Sequence, residues 1–535
     1  MRILLSSPIT PYPSFKGGRD SLHHNYSNTT YGQDIFAIPL YTHFLGLHLI
    51  AQNISAKTTL LENPSAKDFA QEVQKQYDIV GIYFVIPFFS KALEMCKIVH
   101  KYSSQSKIAL GGPGVQCLSH PTGKEEELSG LVNYVCRGEG ISFLRKLLGE
   151  TEDRPVTQDL PLGTVVPFRC KFFSRYSLAI ISALGCTNSC EFCSTSSFFG
   201  HRRIQLATPR ELLEIIRSYI ERYNISSARI LDDNLLENKK YVKELAYLMR
   251  NDPLCQERKF KYSTFANLST IVKYEPEELV EYGVSGLLIG VESKFVSKLY
   301  PNIKKKLENI DIKEVFQNLQ DHGIFVEGSM ILGWDFHDKQ NIVEDIEFYV
   351  SLRATLDQIV CLIAVPETKL WEMFKREGRL SDKISWDDGG FYTMWHNYKN
   401  FGNEELWRYE DYALRKSFET WGPSYLRLFD VHMRGYRKFK YHHDPFFRRI
   451  AESHKEGCKT LYPLLLCIKM FAPSERVKRI TENLEESFIQ EFGTPAIKEK
   501  LQSLAVALIA SFRKVENKLI KEDTFQPKCK IYHYN

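Results

Sequence analysis

Apolar and polar positions alternate along the first 150 residues in a way that predicts a series of strands and helices. Short apolar runs, such as residues 78–86 (DIVGIYFVI), have the composition of strands that are buried on both faces. Between the runs, segments 41–54, 66–76 and 90–102 place apolar residues at helical spacing. Strands that alternate with helices predict a parallel, doubly wound sheet, so we expect a Rossmann-like (flavodoxin-like) α/β domain over residues 1–150.

The rest of the chain divides into three further parts. Residues 151–176 contain Pro155, Pro161 and Pro167 and no clear periodicity, which indicates a linker. Over residues 177–378, six apolar strands with intervening helices predict a partial (β/α)6 barrel, whose chemistry should gather at the carboxyl ends of the strands. From residue 379 to 535 the alternation stops and helical spacing dominates, so we expect a mainly helical domain.

Composition limits the class of protein without naming it. The chain has 535 residues, of which 43% are hydrophobic and 25% charged, as in ordinary globular proteins. A net charge of +5 is too small to predict a nucleic-acid partner. We find neither an apolar stretch of roughly 20 residues nor a signal peptide. Twelve scattered cysteines then favour a reducing compartment, and we expect a cytoplasmic protein.

Three cysteines form the most informative motif of the chain. Cys186, Cys190 and Cys193 have the spacing Cys-x3-Cys-x2-Cys. Three thiolates this close can each bind one iron of a [4Fe-4S] cluster, which leaves the fourth iron open for a small molecule. A structural zinc site would need a fourth ligand, and no second cysteine pair follows. Buried, inert thiols are the other alternative, but Gly185 and the polar residues inside the motif favour a loop.

This motif resembles the signature of the radical S-adenosylmethionine (SAM) enzymes, in which the open iron binds SAM. The N-terminal pattern, with residues 78–81, 111–114 and 138–140, resembles the cobalamin-binding domain that precedes many radical SAM barrels. Glycines at strand ends allow a backbone to approach a flat macrocycle, although any doubly wound fold has turn glycines. The resemblance implies cobalamin contacts, which are Gly111, Gly112, Gly114, Gly138 and Glu139.

One departure from the cobalamin pattern concerns the cobalt ligand. The Asp-x-His-x-x-Gly motif, which supplies a histidine to cobalt in one branch of cobalamin proteins, is missing here. His23 and His24 follow the first strand but lack that spacing. We therefore expect cobalamin without this histidine, or a domain that has lost the cofactor.

The same resemblance implies contacts to SAM at the ends of the barrel strands. Asp232 and Asp233 would contact its amino group, although aspartates before a helix are commonly caps. Glu292, within Ile-Gly-Val-Glu-Ser, would contact the ribose or the carboxylate, the alternative being a surface salt bridge. Residues 328–333, which end at Gly333, would contact adenine. Phe192 would pack beside the cluster or the adenine.

The C-terminal part mixes basic and aromatic residues, most densely over residues 427–459. Such a mixture could meet an anionic substrate, a nucleic acid or a membrane surface. We interpret it instead as the solvated face of helices that cover the barrel. His432, His442 and His443 are candidate ligands there, but isolated histidines in basic segments are usually exposed.

Together these features resemble a cobalamin-dependent radical SAM enzyme, and this family most often methylates an unactivated carbon. The resemblance implies a small-molecule, lipid or peptide substrate and an external electron donor such as flavodoxin or ferredoxin. A radical SAM cyclase or rearrangement enzyme and a non-catalytic Fe-S or corrin-binding protein remain alternatives. A tRNA methylthiolating enzyme is disfavoured, because the additional cysteines are scattered and form no second cluster motif, namely Cys96, Cys117, Cys136 and Cys170.

Overall fold

The computed structural model describes residues 1–12, 27–30, 32–119, 124–152, 154–170, 174–295, 310–381, 384, 386–388, 395–519 and 526–534. His23 and His24 lie outside these residues. The N-terminal region has these elements: β1 (Arg2–Ser6), α1 (Ser27–Thr30), β2 (Leu40–Tyr41), α2 (Leu45–Gln52), β3 (Lys57–Glu62), α3 (Ala66–Val73), β4 (Ile79–Tyr83), α4 (Phe89–Tyr102), β5 (Lys107–Gly111), α5 (Lys124–Gly130), β6 (Tyr134–Val135) and α6 (Gly140–Leu147).

The N-terminal sheet is the parallel sheet that the sequence predicts. Its strand order is β3-β1-β4-β5-β6, with every pair parallel. This is the flavodoxin-like order, in which the chain reverses direction across the sheet between β1 and β4. Ligands bind such sheets outside the carboxyl ends of the strands near that point. The order therefore predicts a binding cleft beyond Ser6, Tyr83 and Gly111.

The middle of the chain forms a curled second sheet. Its elements are β7 (Gly163–Val165), β8 (Arg175–Ile180), β9 (Ala183–Leu184), α7 (Ser194–Phe198), β10 (Ile204–Gln205), α8 (Pro209–Tyr223), β11 (Ser227–Ile230), α9 (Lys239–Asn251), α10 (Pro253–Arg258), β12 (Lys261–Asn267), α11 (Leu268–Ile271), α12 (Pro276–Glu281), β13 (Val284–Glu292), α13 (Ile312–Asp321), β14 (Phe325–Leu332), α14 (Asn341–Ser351), β15 (Leu356–Cys361) and α15 (Lys369–Arg376).

The partial (β/α)6 barrel expected from the sequence is confirmed. Strands β8, β11, β12, β13, β14 and β15 are parallel and are neighbours in chain order. Helix α8 begins with Thr208 as its cap and Pro209 in its first turn. Thr208 and Glu211 form a capping box, which satisfies two backbone N–H groups at that end.

Three short strands connect the parts of the chain in ways that the sequence did not predict. Strand β7, inside the predicted linker, lies antiparallel to β8, and β2 from the N-terminal region lies antiparallel to β7. The last strand, β16 (Lys530–Tyr534), pairs antiparallel with β3 at the edge of the N-terminal sheet. The N-terminal and C-terminal regions thus each supply a strand to another part of the molecule.

Helices dominate the C-terminal region, as predicted. They are α16 (Asn403–Trp421), α17 (Ser424–Phe439), α18 (Pro445–Leu461), α19 (Leu464–Met470), α20 (Glu475–Phe492) and α21 (Ile497–Leu519). The interpretation of residues 427–459 as a solvated face is wrong for Arg427, whose side chain is buried and lies 2.6 Å from Asp357 Oδ2 on β15. In the described residues, no helix is both long and apolar enough to span a bilayer.

Candidate active site at the cysteine loop

The loop that carries the three cysteines is fixed at both ends. It follows β9, which pairs antiparallel with β10, and it leads into α7. Gly185 has φ of +75°, and a Cβ at this position would collide with the Arg202 carbonyl and with the Phe199 ring. A glycine is required where the loop leaves β9, because φ is positive there and the nearby Arg202 carbonyl leaves no room for a Cβ.

All twelve cysteines of the chain lie in the described residues, and all are free thiols. Cys186, Cys190 and Cys193 are partly buried, and burial raises the pKa of Cys190 to about 12 and also that of Cys186. Backbone N–H groups point at two of the sulfurs, from Asn188 to Cys186 Sγ at 3.4 Å and from Ser196 to Cys193 Sγ at 3.5 Å. Such donors stabilise thiolates once a cation is bound.

The three sulfurs belong to one short loop and supply three thiolate donors. In a cubane each of three such thiolates binds a different iron. The donor set, its desolvation and its N–H contacts therefore fit a [4Fe-4S] cluster.

The two aspartates after β11 have different surroundings. Asp232 is fully buried, and its carboxylate accepts hydrogen bonds from Ser182 N at 2.8 Å and Ala183 N at 3.0 Å and pairs with Arg203 at 2.8 Å. This carboxylate holds the end of β8 and has little capacity left for a ligand. Asp233 is partly buried, and burial together with Asp232 raises its pKa to about 6.

Glu292 ends β13 with its backbone in the left-handed region, at φ of +59°. Its side chain folds back over Gly290, where a Cβ would strike Oε1. Burial raises the pKa of this carboxyl to about 7, and its charge in turn contributes to the raised pKa of Cys190. The charge of Glu292 is thus one of the groups that disfavour a free thiolate at Cys190.

A buried hydrogen-bond chain joins the ends of β13 and β14 and was missed in the sequence. Ser293 Oγ donates to Asp345, whose carboxylate lies 3.0 Å from His337 Nε2. His337 Nδ1 accepts from Gly333 N at 3.1 Å. Asp345 also accepts from Lys294 N at 2.7 Å. The chain fixes the turn at Gly333, and its partners lie too far apart in sequence for local patterns to reveal it.

The surroundings of Gly333 and Phe192 are aromatic. Gly333 has φ of +91°, and a Cβ there would come within 2.7 Å of the Tyr398 ring and 2.6 Å of Leu406. Phe192 packs edge-on against Trp334, with ring centroids 5.5 Å apart. A flat apolar group at the end of β14 would meet these rings.

A largely apolar cleft, with a cavity volume of about 220 Å³, lies between the N-terminal sheet and the cysteine loop. One wall is made by strand ends of the sheet, and the other by the helix that follows Cys193. The wall residues on the sheet side include Gly81, Tyr83, Gly111, Gly112, Gly138, Glu139 and Gly140, and those on the loop side include Ser194, Thr195, Phe198 and Phe199. The cleft occupies the place that the strand order predicts.

The five residues that were expected to contact cobalamin differ in their position relative to the cleft. Gly111, Gly112 and Gly138 line the cleft directly. Glu139 also lines it, but its carboxylate caps α6 by accepting from the N–H groups of Ile141 and Ser142. Gly114 does not line the cleft and packs on the ring of Phe84, which a Cβ would strike.

A second cavity, with a volume of about 570 Å³, lies inside the barrel and shares Gly46, Leu47 and Tyr83 with the first. Its wall is mixed, since Arg229 on β11 pairs with Glu327 on β14 at 3.0 Å, beside Phe265, Leu288 and other apolar residues. This pair was not predicted from the sequence, although a charged residue inside an apolar strand can indicate a barrel interior.

Comparison with known proteins agrees with this arrangement. Residues 180–349 match the radical SAM superfamily. This part of the chain is therefore a radical SAM domain, and the recognition based on the three cysteines is confirmed. The match runs from the last residue of β8 into α14 and includes the cysteine loop, Asp232, Asp233, Glu292 and Gly333.

Two similar proteins of named activity are methylating enzymes. The chain is 25% identical to the hopanoid C-2 methylase of Rhodopseudomonas palustris over 302 residues, which are 54% of this chain and 55% of the methylase. It is 28% identical to the bacteriochlorophyllide d C-12(1)-methyltransferase of Chlorobaculum tepidum over 357 residues, which are 61% of this chain and 72% of that enzyme. The chain thus spans about half of the first relative and nearly three quarters of the second.

Among solved structures, the radical SAM methyltransferase TsrM from Kitasatospora setae, with cobalamin and a [4Fe-4S] cluster bound, has a TM-score of 0.50 at 12% identity. The alignment covers 86% of this chain and 99% of TsrM. At this identity the likeness concerns the fold alone, and it agrees with the expected fold class.

Proposed function

We propose that this protein is a cobalamin-dependent radical SAM methyltransferase that adds a methyl group to an unactivated carbon. The observation that carries the proposal is the apolar cleft, whose opposite walls are the ligand-binding edge of the N-terminal sheet and the helix that follows the cysteines. A planar cofactor in this cleft would lie next to the cluster loop and beside the barrel cavity. The two named methylating relatives support the same reaction.

The residues divide into two groups around the cofactors. Cys186, Cys190 and Cys193 would hold the [4Fe-4S] cluster, which would supply the electron for cleavage of SAM, and cobalamin would supply the methyl group. Asp233, which remains partly accessible, is our choice over Asp232 for the ammonium group of SAM. Glu292 accepts from the ribose hydroxyls.

The remaining residues are assigned to backbone and packing contacts with the cofactors. The backbone at Gly333 meets the adenine, and Phe192 covers that region with Trp334. Gly111, Gly112 and Gly138 let the sheet edge approach the corrin ring, Gly114 supports that edge from behind, and Glu139 lines the cleft while it caps α6. In agreement with the missing motif, we assign no histidine to cobalt.

We place the substrate in the barrel cavity and leave its class as a small molecule, a lipid or a peptide. The apolar part of the wall would hold a carbon skeleton, while the Arg229–Glu327 pair would orient a polar group. An external one-electron donor such as flavodoxin or ferredoxin completes the reaction. Twelve cysteines in the described residues without a disulfide agree with a reducing, cytoplasmic setting.

The cluster assignment is tested by replacing one ligand. We expect Cys190→Ser, purified without oxygen and reconstituted with iron and sulfide, to lose most of its iron and all reductive cleavage of SAM to 5'-deoxyadenosine. The matched control is Cys170→Ser, which changes another partly buried cysteine outside the loop and should behave as the unchanged protein. If Cys190→Ser kept both properties, the cluster site would be excluded.

The cobalamin assignment is tested at Gly112, whose φ is +92° and where a Cβ would come within 2.6 Å of the Phe84 carbonyl and 2.7 Å of the Tyr83 ring. We expect Gly112→Ala to lower bound cobalamin at least tenfold while cluster iron stays. Gly130→Ala is the control, because a Cβ there meets no atom within 4 Å. Unchanged cobalamin content in Gly112→Ala would count against this cleft.

Methyl transfer is distinguished from other radical chemistry by labelling the methyl group of SAM. With candidate lipid, peptide and small-molecule substrates, we expect the label in the product. Formation of 5'-deoxyadenosine together with an unlabelled, altered product would favour a cyclase or rearrangement enzyme. Cofactor binding without any cleavage of SAM would favour a non-catalytic protein.

A further inference from the structure

Two histidines and a glutamate meet at the carboxyl end of β3, away from the cysteine loop. His43 Nδ1 lies 2.7 Å from Glu62 Oε2, and His48 Nε2 lies 3.5 Å from Glu62 Oε1. Within the described ranges, these three residues form the group whose ligand atoms all lie within 4.8 Å of one another. The side chains of His48 and Glu62 are 0% and 1% exposed, and that of His43 is 11% exposed.

The fold brings these side chains together from three parts of the chain. Glu62 ends a parallel strand, His48 lies on α2, and His43 lies just before that helix. The Phe44 N–H donates to Glu62 Oε1 at 2.6 Å and so fixes the carboxylate at the start of α2. From the other side, the C-terminal strand β16 places Tyr534 beside His48 and the Tyr532 ring 4.7 Å from the His48 ring.

The second observation is an unsatisfied nitrogen. His48 Nε2 is fully buried and, among the residues that the structure describes, has no hydrogen-bond partner. The other ring nitrogen, Nδ1, lies 2.6 Å from Tyr534 Oη. If Nδ1 carries the proton and donates to Tyr534, the lone pair of Nε2 points at the carboxylate. A ligating histidine typically has this form, with one nitrogen free for a metal and the other held by an outer partner.

We propose that His43, His48 and Glu62 bind one divalent transition-metal ion, of the zinc or ferrous class, separate from the iron–sulfur cluster. Two imidazoles and one carboxylate are a usual ligand set for these ions. Ligands about 2.1 Å from an ion lie roughly 3.0 to 3.4 Å from one another. The observed separations of 2.7 and 3.5 Å bracket that range, so small side-chain shifts would complete the site.

The position of the site gives small ligands access to the ion. His43 and Phe44 line the barrel cavity, whereas His48 and Glu62 are sealed behind them. Water or an oxygen of a bound molecule could complete the coordination from the cavity side. The proposal stands independently of methyl transfer, because none of the three residues belongs to the cysteine loop or to the corrin cleft.

Zinc binding by the full-length protein tests the proposal. To remove competing thiolates, we would use the chain with Cys186, Cys190 and Cys193 all changed to Ala, stripped with chelator, and also the cluster-loaded unchanged protein. After equilibration with Zn²⁺ and gel filtration, elemental analysis should give close to one zinc per chain in both. Absence of zinc from both proteins would overturn the site and leave a hydrogen-bonded ion pair only.

Variants assign the zinc to these residues. We expect His48→Asn and Glu62→Gln to weaken zinc binding at least a hundredfold, and Tyr534→Phe, which removes only the outer partner, to weaken it roughly tenfold to a hundredfold. The control is His432→Asn, since His432 lies 3.0 Å from His454 in a histidine pair without a carboxylate. Zinc affinity unchanged in both His48→Asn and Tyr534→Phe would refute the assignment, and circular dichroism would check that each variant is folded.

Discussion

The stability of the folded protein should depend on pH through the side chain of Glu292. Burial raises the pKa of its carboxyl from the ordinary 4.5 to about 7. The folded protein therefore favours the neutral carboxyl group of Glu292. This preference stabilises the folded state fully below the ordinary pKa of 4.5, and the stabilisation is lost as the pH rises through about 7. In the cluster-free protein we expect the thermal midpoint to fall between about pH 5 and about pH 8, and to fall less in Glu292→Gln.

Asp233 remains in both proteins of this comparison, so it cancels from the difference. The measurement is a melting curve at several pH values, followed by circular dichroism. Identical pH profiles for Glu292→Gln and the unchanged chain would mean that Glu292 is not the group that titrates.

The residues of the site were predictable where their partners are close in sequence. The three cysteines lie in one loop, so their spacing alone predicts their role. Asp232 and Asp233 both follow β11, and the neighbouring sequence does not indicate which of the two carboxylates is available to a ligand. The structure distinguishes them because Ser182 and Arg203, which are 50 and 29 residues from Asp232, occupy its carboxylate. Such long-range hydrogen bonds leave no periodic pattern in the sequence.

Helix α21 presents an apolar stripe to solvent while its opposite face is buried. Ile497, Leu501, Leu504, Leu508, Phe512 and Val515 are 55–78% exposed. Ala507 and Ala510, in contrast, are 4% and 0% exposed. We expect Leu508→Gln to change the free energy of unfolding by less than about 0.5 kcal/mol, because both residues favour helices and the site is exposed.

The paired variant is Ala510→Leu, which forces additional carbon atoms into a packed interface. It should cost about 1–3 kcal/mol, measured as a lower urea midpoint at unchanged slope. A large loss of stability in Leu508→Gln would show that the stripe is covered within the molecule.

The hydrophobic pattern predicted the longer strands and helices but not the short strands. Strand β14, over residues 325–332, coincides with an apolar run that is long and has clear ends. The helix predicted from residue 41 begins only at Leu45, because Tyr41 belongs to β2 and Glu62 holds the N–H of Phe44. Strands β2, β7 and β16 have two, three and five residues, and they form because a partner strand offers an edge, which the sequence does not show.

At the scale of the whole molecule, the helical region is attached to the barrel by a buried ion pair. Arg427 on α17 is 2% exposed and donates to Asp357 on β15, to the carbonyl of Ala354 at 2.9 Å and to that of Gly422 at 3.0 Å. Asp357 also accepts from Ser417 on α16 at 2.8 Å. The last strand of the barrel and two helices thus meet at one carboxylate.

Loss of this arginine should loosen the helical region from the barrel edge. We expect Arg427→Met to lower the free energy of unfolding by about 3–5 kcal/mol, because Asp357 would remain buried without its counter-ion. Arg437→Met is the control, since Arg437 is 44% exposed in its pair with Glu491, and it should cost no more than about 1 kcal/mol. Urea titration followed by tryptophan fluorescence measures both, because Trp421, whose indole N–H donates to the Val350 carbonyl, lies at the same junction.

Adding Asp357→Asn to Arg427→Met should recover part of the loss, since the unpaired charge is then removed. Equal effects of Arg427→Met and Arg437→Met would show that this ion pair does not hold the two regions together.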